Sequence, residues 1–258
     1  MHNSSYKKME WFRQHYLSDM EAERLAIYDL GSQDVNGSYR PLFDHPQWQY
    51  QGIDMAAGKN VDIVLRTPYV WREVATASAD VVVSGQAFEH IQYFWITMLE
   101  IARVLKPGGV CCILAPSSGP EHRYPVDCWR FYPDGMHALA NYAQLEVLEA
   151  TTQWHNEGHV DGSDSWHDSM LVCRKPELGP WWSLKSGAKR WLQHRALTIG
   201  LRDEDAATPK KSGQGEYARS SGAMDTVIRW YRHFVPARLR MRVPRRFRRM
   251  VRKRLIGP

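Results

Sequence analysis

Three short apolar runs in this chain end in residues that can hold a small polar ligand. They are Asp29-Leu30-Gly31-Ser32, Asp54-Met55 and Ser84-Gly85-Gln86. A glycine directly after a strand lets the backbone approach a ligand closely. An acid at the end of a strand suits a ribose diol, because a carboxylate accepts hydrogen bonds from both hydroxyls. Each feature alone also has a plain structural reading, as a tight turn or a solvated acid. A fourth candidate is the loop from Pro116 to Tyr132, where Tyr124, Trp129, Phe131 and Tyr132 stand among His122, Arg123, Asp127 and Arg130. Aromatic faces beside hydrogen-bonding charges suit a sugar, with its apolar ring faces and rim of hydroxyls. Arg123, Tyr124, Asp127 and Arg130 are therefore candidate substrate-binding residues. The same loop also reads as a lid whose aromatics fill the core and whose Arg130 and Asp127 form a local ion pair.

These residues need a scaffold that brings strand ends together. Leu25–Leu30, Gln49–Asp54, Val61–Val64, Ala79–Ser84 and Val110–Ala115 are apolar and β-branched enough for buried strands. Leu145–Thr151 alternates as a half-exposed strand, and Ser169–Cys173 is the last. Helices are predicted over residues 7–24, 92–105 and 133–142, the last opened by Pro133. Ser38 is placed to cap another. Lys106-Pro107-Gly108-Gly109 stops the second helix. Strands alternating with helices predict an α/β fold, a mainly parallel sheet wound on both faces, with an antiparallel hairpin at one edge. Ligands of such sheets bind beyond the C-terminal strand ends, where all three polar turns fall.

The order of these pieces resembles the class I S-adenosylmethionine-dependent methyltransferases, in particular those of cell-surface glycan biosynthesis clusters. The carrying residues are Tyr28-Asp29-Leu30-Gly31-Ser32, Tyr50-Gln51-Gly52-Ile53-Asp54, the run from Ala79 through Ser84-Gly85-Gln86-Ala87-Phe88-Glu89-His90-Ile91, and Ala102 through Gly109. The resemblance covers about residues 26–175. It implies a Rossmann-like, doubly wound sheet of seven mostly parallel strands with one reversed edge strand. It also implies S-adenosylmethionine at the first-strand turn. Asp29 would belong to the cofactor site, Gly31 and Ser32 would lie near the methionine part, Asp54 would hold the ribose hydroxyls and Met55 would flank the adenine. Ser84, Gly85 and Gln86 would border the sulfonium. The chain departs from the family's Asp-x-Gly-x-Gly-x-Gly turn, since Gln33 and Val35 stand at the later glycine positions. Pro68-Tyr69-Val70-Trp71 offers no acid to the adenine amino group, which leaves that role to backbone groups or an aromatic edge.

Methyl transfer to a sugar hydroxyl needs an aligned nucleophile and a proton acceptor. Imidazole titrates in the useful range, which makes His90 and His122 the candidate catalytic bases. Each also has a bland reading, His90 as a structural residue and His122 as an exposed loop histidine. Trp154, His155, His159, Asp161, Trp166 and His167 form a second polar and aromatic stretch that could complete the acceptor pocket. Its spacing matches no strong ligand motif, so no metal is expected.

Charge divides the chain. Residues 1–176 hold 14 Lys and Arg against 22 Asp and Glu, while residues 177–258 hold 20 against 6. A methyltransferase domain over 1–176 and a basic, partly helical extension over 177–258 follow, with a flexible linker at about 202–221. From Arg238 to Arg254 there are ten basic residues in 17 and no acid. On a helix starting near Pro244, Phe247, Met250, Val251 and Leu255 would share one side. Such a segment, 238–256, suits an anionic membrane surface or a membrane-bound glycosyltransferase, with nucleic acid as a further partner. The four cysteines form no CxxC pair, and no apolar run reaches the ~20 residues of a membrane span. The expectation is a cytoplasmic enzyme, peripheral at the inner face of the membrane, methylating a sugar hydroxyl of a surface polysaccharide or its lipid-linked precursor. Competing readings are an RNA methyltransferase anchored by the tail and a non-catalytic scaffold with an altered cofactor turn. The sequence leaves the oligomeric state open.

Overall fold

A computed structural model of the chain describes residues 2–201. Seven strands form one sheet: β1 (Leu25–Leu30), β2 (Trp48–Asp54), β3 (Ile63–Val64), β4 (Ala79–Gly85), β5 (Leu105–Ala115), β6 (Glu146–Thr152) and β7 (Ser169–Arg174). Their spatial order is β3-β2-β1-β4-β5-β7-β6. The first five run parallel, with Asp29 beside Gly52 and Val83, and β7 runs antiparallel to both β5 and β6. This is the reversed edge that the closing hairpin predicts. Order reverses at β1, where the next strand passes from β3 on one side to β4 on the other, so β1 and β4 part at a crevice.

Alternation along the buried strands feeds two cores. Cys111, Ile113 and Ala115 face one side with Tyr28, Leu30 and Trp71, while Val110, Cys112 and Leu114 face the other with Ile27, Val81 and Val83. Each fully buried Val, Ile or Leu contributes roughly 1.5–3 kcal/mol relative to exposure. The first face is covered by α2 (Phe94–Val104) and α3 (Pro133–Tyr142), through Met98, Ile101, Ala102, Met136 and Leu139. The second is covered by α1 (Asn3–Tyr16), through Met9 and Phe12.

Three local expectations are corrected. The N-terminal helix lies over Asn3–Tyr16 rather than 7–24, followed by a single 3-10 turn at Ser18–Met20. No α-helix follows β1; Ser38 Oγ accepts the Arg40 N–H at 3.0 Å, and only a 3-10 turn at Arg40–Phe43 forms. Asn36-Gly37 and Pro41 break any longer helix, and the aromatic side chains of Tyr39, Phe43 and Trp48 cover the sheet in its place. Lys106 to Gly109 does not separate α2 from a later strand. The chain enters β5 at Leu105, with a register shift against β4 between Ala79 and Val81.

A fourth helix, α4 (Pro180–Thr198), packs along α2. His194 Nε2 lies 2.6 Å from the Tyr69 carbonyl and 3.3 Å from Glu100 Oε1. Trp181, Trp182 and Trp191 on α4 are exposed. The expected linker at 202–221 and the basic segment 238–256 lie outside the described residues. Among the described residues, no helix is long and apolar enough to cross a membrane.

Candidate functional site

A cleft of about 800 Å³ opens at the C-terminal ends of β1, β2 and β4. Its floor begins at Gly31, whose φ of +79° belongs to the left-handed region that favours glycine. A Cβ there would stand 2.5 Å from Ala87 Cβ, so glycine is required both by backbone conformation and by space. The turn lacks the later family glycines, and neighbouring loops hold it instead. Asn60 Nδ2 donates to the Ser32 carbonyl at 2.8 Å, Ser32 Oγ donates to the Asn60 carbonyl at 3.1 Å, and Lys59 pairs with Asp34 at 2.5 Å.

Two acids stand at this floor. Asp54 Oδ2 accepts the Gln33 N–H at 3.2 Å and Oδ1 accepts the Ala56 N–H at 3.1 Å. A carboxylate offers about four lone-pair sites, so one on each oxygen stays free for a ligand hydroxyl. Asp29 is buried and takes a hydrogen bond from Tyr50. Burial pushes its carboxyl up to about 7, against the opposing effect of that hydrogen bond. Met55, Leu65, Pro68 and Tyr69 add an apolar wall beside Asp54.

At the β4 end, Gly85 lies against Tyr39, and a Cβ would stand 2.0 Å from its hydroxyl oxygen. Gln86 follows with φ +57°. Its Nε2 donates to Asp168 Oδ1 at 2.9 Å, and Ser4 Oγ at the start of α1 donates to Asp168 Oδ2 at 2.6 Å. Through Asp168 the N-terminal helix is tied to the cleft, and His2 forms part of the cleft wall.

The loop after β5 overhangs the cleft. Arg130 Nη1 and Nη2 donate to Asp127 Oδ1 and Oδ2 at 2.6 and 2.8 Å, and Nη2 also donates to the Pro120 carbonyl at 2.9 Å. The hydrogen bonds from Arg130 hold the Asp127 carboxyl well below the usual range. Asp127 Oδ2 also accepts the His122 N–H at 2.7 Å. Behind the loop, Gly119 at φ +92° packs directly on Trp166, and the His122 and Trp166 rings meet edge to face at 4.6 Å.

Beneath the loop, three side chains converge. Glu89 is fully buried, and neither carboxylate oxygen has a hydrogen-bond partner. His90 Nε2 lies 3.6 Å and His122 Nε2 lies 3.9 Å from Glu89 Oε1. Burial raises the Glu89 carboxyl to about 8 and lowers the His90 imidazole below 6.5. His90 Nδ1 sits 2.6 Å from the Val126 carbonyl. A carbonyl only accepts, which fixes the proton on Nδ1 and leaves a lone pair on Nε2, 3.6 Å from Glu89 Oε1.

Of the residues singled out in the sequence, Asp29, Gly31, Ser32, Asp54, Met55, Gly85, Gln86, His90, His122, Arg123 and Tyr124 line this one cleft. Ser84 does not; it is buried and donates to the Leu30 carbonyl at 2.9 Å. Asp127 and Arg130 do not line it either, and make the internal ion pair that was the other reading of their loop. Trp154 to His167 contribute no lining residue. Asp161 instead accepts the Asn3 N–H at 2.8 Å, and Trp166 supports the loop. Sequence reasoning missed His2, Tyr39, Glu89 and Asp168. Only Glu89 carried a local signal, as the acid beside His90.

Comparison with known proteins follows the same line. Residues 54–113 match the family described as a methyltransferase domain. No curated protein matches the chain. Among solved structures, the chain is similar to the CurJ carbon methyltransferase, with 10% identity, TM-score 0.50, and coverage of 67% of this chain and 54% of that one. It is also similar to a sarcosine dimethylglycine methyltransferase of Galdieria sulphuraria (16% identity, 66% and 86% covered, TM-score 0.49). A third is the 1,6-didemethyltoxoflavin-N1-methyltransferase of Burkholderia thailandensis, solved with S-adenosylhomocysteine (14% identity, 67% and 85% covered, TM-score 0.47). These likenesses concern the fold. The donor set of the cleft suits the cofactor that the family uses: Asp54 has room for two ribose hydroxyls, and Gly31 lets the backbone approach the amino-acid end. Residues 54–113 thus carry a methyltransferase-domain match within a sheet of that fold, and the cleft at its strand ends suits S-adenosylmethionine.

Proposed function

We propose that this methyltransferase acts on oxygen, and that its acceptor is a sugar hydroxyl of a surface polysaccharide or of its lipid-linked precursor. The observation that carries the reading is the pair of imidazoles beneath the overhanging loop, with the exposed Tyr124 ring and the Arg123 guanidinium at the rim of the same cleft. Tyr124 offers a flat apolar face to a sugar ring, and Arg123 offers donors to its hydroxyls. When bound, S-adenosylmethionine supplies an electrophilic methyl group on a charged sulfur that departs as a thioether. Asp54 holds the ribose end, and Met55 and Leu65 bound the base. His90, neutral at pH 7 and with its Nε2 lone pair free, accepts the proton that the acceptor hydroxyl gives up, with His122 beside it.

Helix α4 supports a place at an anionic membrane surface. Its exposed Trp181, Trp182 and Trp191 are interspersed with Lys185, Lys189 and Arg195 and with no acid. Tryptophan with lysine and arginine suits the boundary between headgroups and acyl chains. A lipid-linked acceptor would be presented at that boundary. Incubation of the protein with labelled methyl donor and fractionated cell-envelope glycans tests the proposal. Label in a lipid-linked or polymeric glycan, stable to mild base as an ether, is the expected result. Label in RNA and none in glycan would overturn the acceptor assignment.

A further inference from the structure

Glu89, His90 and His122 present an electrostatic problem that hydrogen bonding does not solve. The carboxylate is fully buried with both oxygens unpartnered, an arrangement that is costly for an ionised group. Both neighbouring imidazoles turn Nε2 toward it. His90 Nδ1 faces the Val126 carbonyl at 2.6 Å and His122 Nδ1 faces Asp127 Oδ2 at 3.3 Å. The Val126 carbonyl puts the His90 proton on Nδ1, so its Nε2 brings a lone pair; His122 Nδ1 makes no hydrogen bond, and the Asp127 carboxylate beside it favours the tautomer with the proton on that same nitrogen. Three lone-pair donors therefore meet. One from each residue lies within 4.8 Å of the other two.

A proton on Glu89 does not settle this. At 3.6 and 3.9 Å, both Nε2 atoms are beyond hydrogen-bond length. A cation does, because donors bound at ~2.0–2.2 Å from one ion stand roughly 3–4 Å apart. The flanking contacts are those of metal-ligating histidines, whose second ring nitrogen usually faces a carbonyl or a carboxylate. Asp127 is itself held in place by Arg130.

We propose that Glu89, His90 and His122 form a binding site for a divalent first-row transition ion, such as zinc, with its open coordination positions facing the acceptor side of the cleft. Two imidazoles and one carboxylate are a borderline donor set that suits such ions better than magnesium or calcium. The site rests on its own geometry. Its use in catalysis rests on the O-methyl transfer reading. There, a bound ion would lower the pKa of a coordinated acceptor hydroxyl, so that its proton leaves to water. The oxygen then bonds to the methyl carbon while the carbon–sulfur electron pair stays on sulfur. His90 and His122 would in that state be ligands, and the ion would replace them as the means of ionising the hydroxyl.

The test is a titration of chelator-stripped full-length protein with cobalt(II), followed by calorimetry and by visible ligand-field absorption. Stoichiometric binding with nitrogen-ligand absorption is expected, weakened at least ~100-fold in both Glu89→Gln and His122→Ala. Cobalt should also raise the Tm of the parent protein but not that of Glu89→Gln. Absence of stoichiometric binding to the parent overturns the site, as does affinity and absorption in both variants equal to those of the parent. S-adenosylhomocysteine calorimetry on the same preparations separates the two questions. Cofactor binding without cobalt binding removes the site and leaves the enzyme, whereas cobalt binding without cofactor binding leaves the site and removes the enzymatic reading. Retained cofactor binding in the variants shows that they are folded.

Discussion

Arg130 grips Asp127 through two parallel hydrogen bonds, at 2.6 and 2.8 Å, and the same carboxylate holds the His122 N–H at 2.7 Å. The pair sits inside the loop that overhangs the cleft and is not part of its lining. Arg130→Ala would leave Asp127 without its two charge-assisted partners, each worth roughly 1.5–3 kcal/mol. The expected outcome is a loop that no longer positions His122, with kcat/KM for the acceptor falling on the order of 10- to 100-fold. The Kd for S-adenosylhomocysteine should change little, because the cofactor end of the cleft is built from other loops. Equal losses for acceptor and cofactor would contradict this division.

Glu89 gives a pH dependence with a defined sign. Its carboxyl rises from an ordinary 4.5 to about 8 in the folded chain, mainly through burial. Between those values the folded state keeps a proton that the unfolded state has lost. Stability is therefore full below about 4.5 and declines as pH rises through 8. Glu89→Gln, which cannot ionise, should flatten this decline. Urea midpoints at pH 5 and pH 8 should differ less in the variant than in the parent, by a few kcal/mol in ΔG.

The two histidines separate by pH profile. If His90 accepts the proton, kcat/KM falls at low pH along a limb centred below 6.5, since burial lowers that imidazole. His90→Ala and His122→Ala assayed at saturating cofactor should each lose on the order of 10²-fold or more in turnover. Full turnover in both would remove the cluster from the chemistry.

Gly31 is the most constrained position of the floor. Gly31→Ala adds a Cβ 2.5 Å from Ala87 Cβ at a φ of +79°. A loss of about 1–3 kcal/mol in stability is expected, together with weaker cofactor binding. A variant with unchanged Tm and unchanged affinity would show that the floor yields easily.

The parts of the fold that depend on local pattern were readable from the sequence. Val81, Val82 and Val83 mark a central strand because β-branched apolar residues in a row fit a sheet buried on both faces. Asp54 at a strand end next to Gly31 was readable too, since strand ends in such a sheet meet in one crevice. The missing helix after β1 was not. Ser38 looks like a cap, and only the tertiary cover from Tyr39, Phe43 and Trp48 makes a helix unnecessary. His90 and His122 were singled out as candidate bases, but their convergence with Glu89 was not legible, for another reason. The three residues come from two segments with no fixed spacing, and the direction of each Nε2 depends on the partners Val126 and Asp127, which only the folded loop supplies.

Asp54 is the residue proposed to hold the nucleoside, through the free lone pairs of its two oxygens. Calorimetric titration of S-adenosylhomocysteine into the parent protein and Asp54→Ala measures this directly. The parent should bind, and the variant should bind on the order of 100-fold more weakly with its Tm in the absence of ligand preserved. Equal affinity in both proteins would contradict the placement of the cofactor in this cleft.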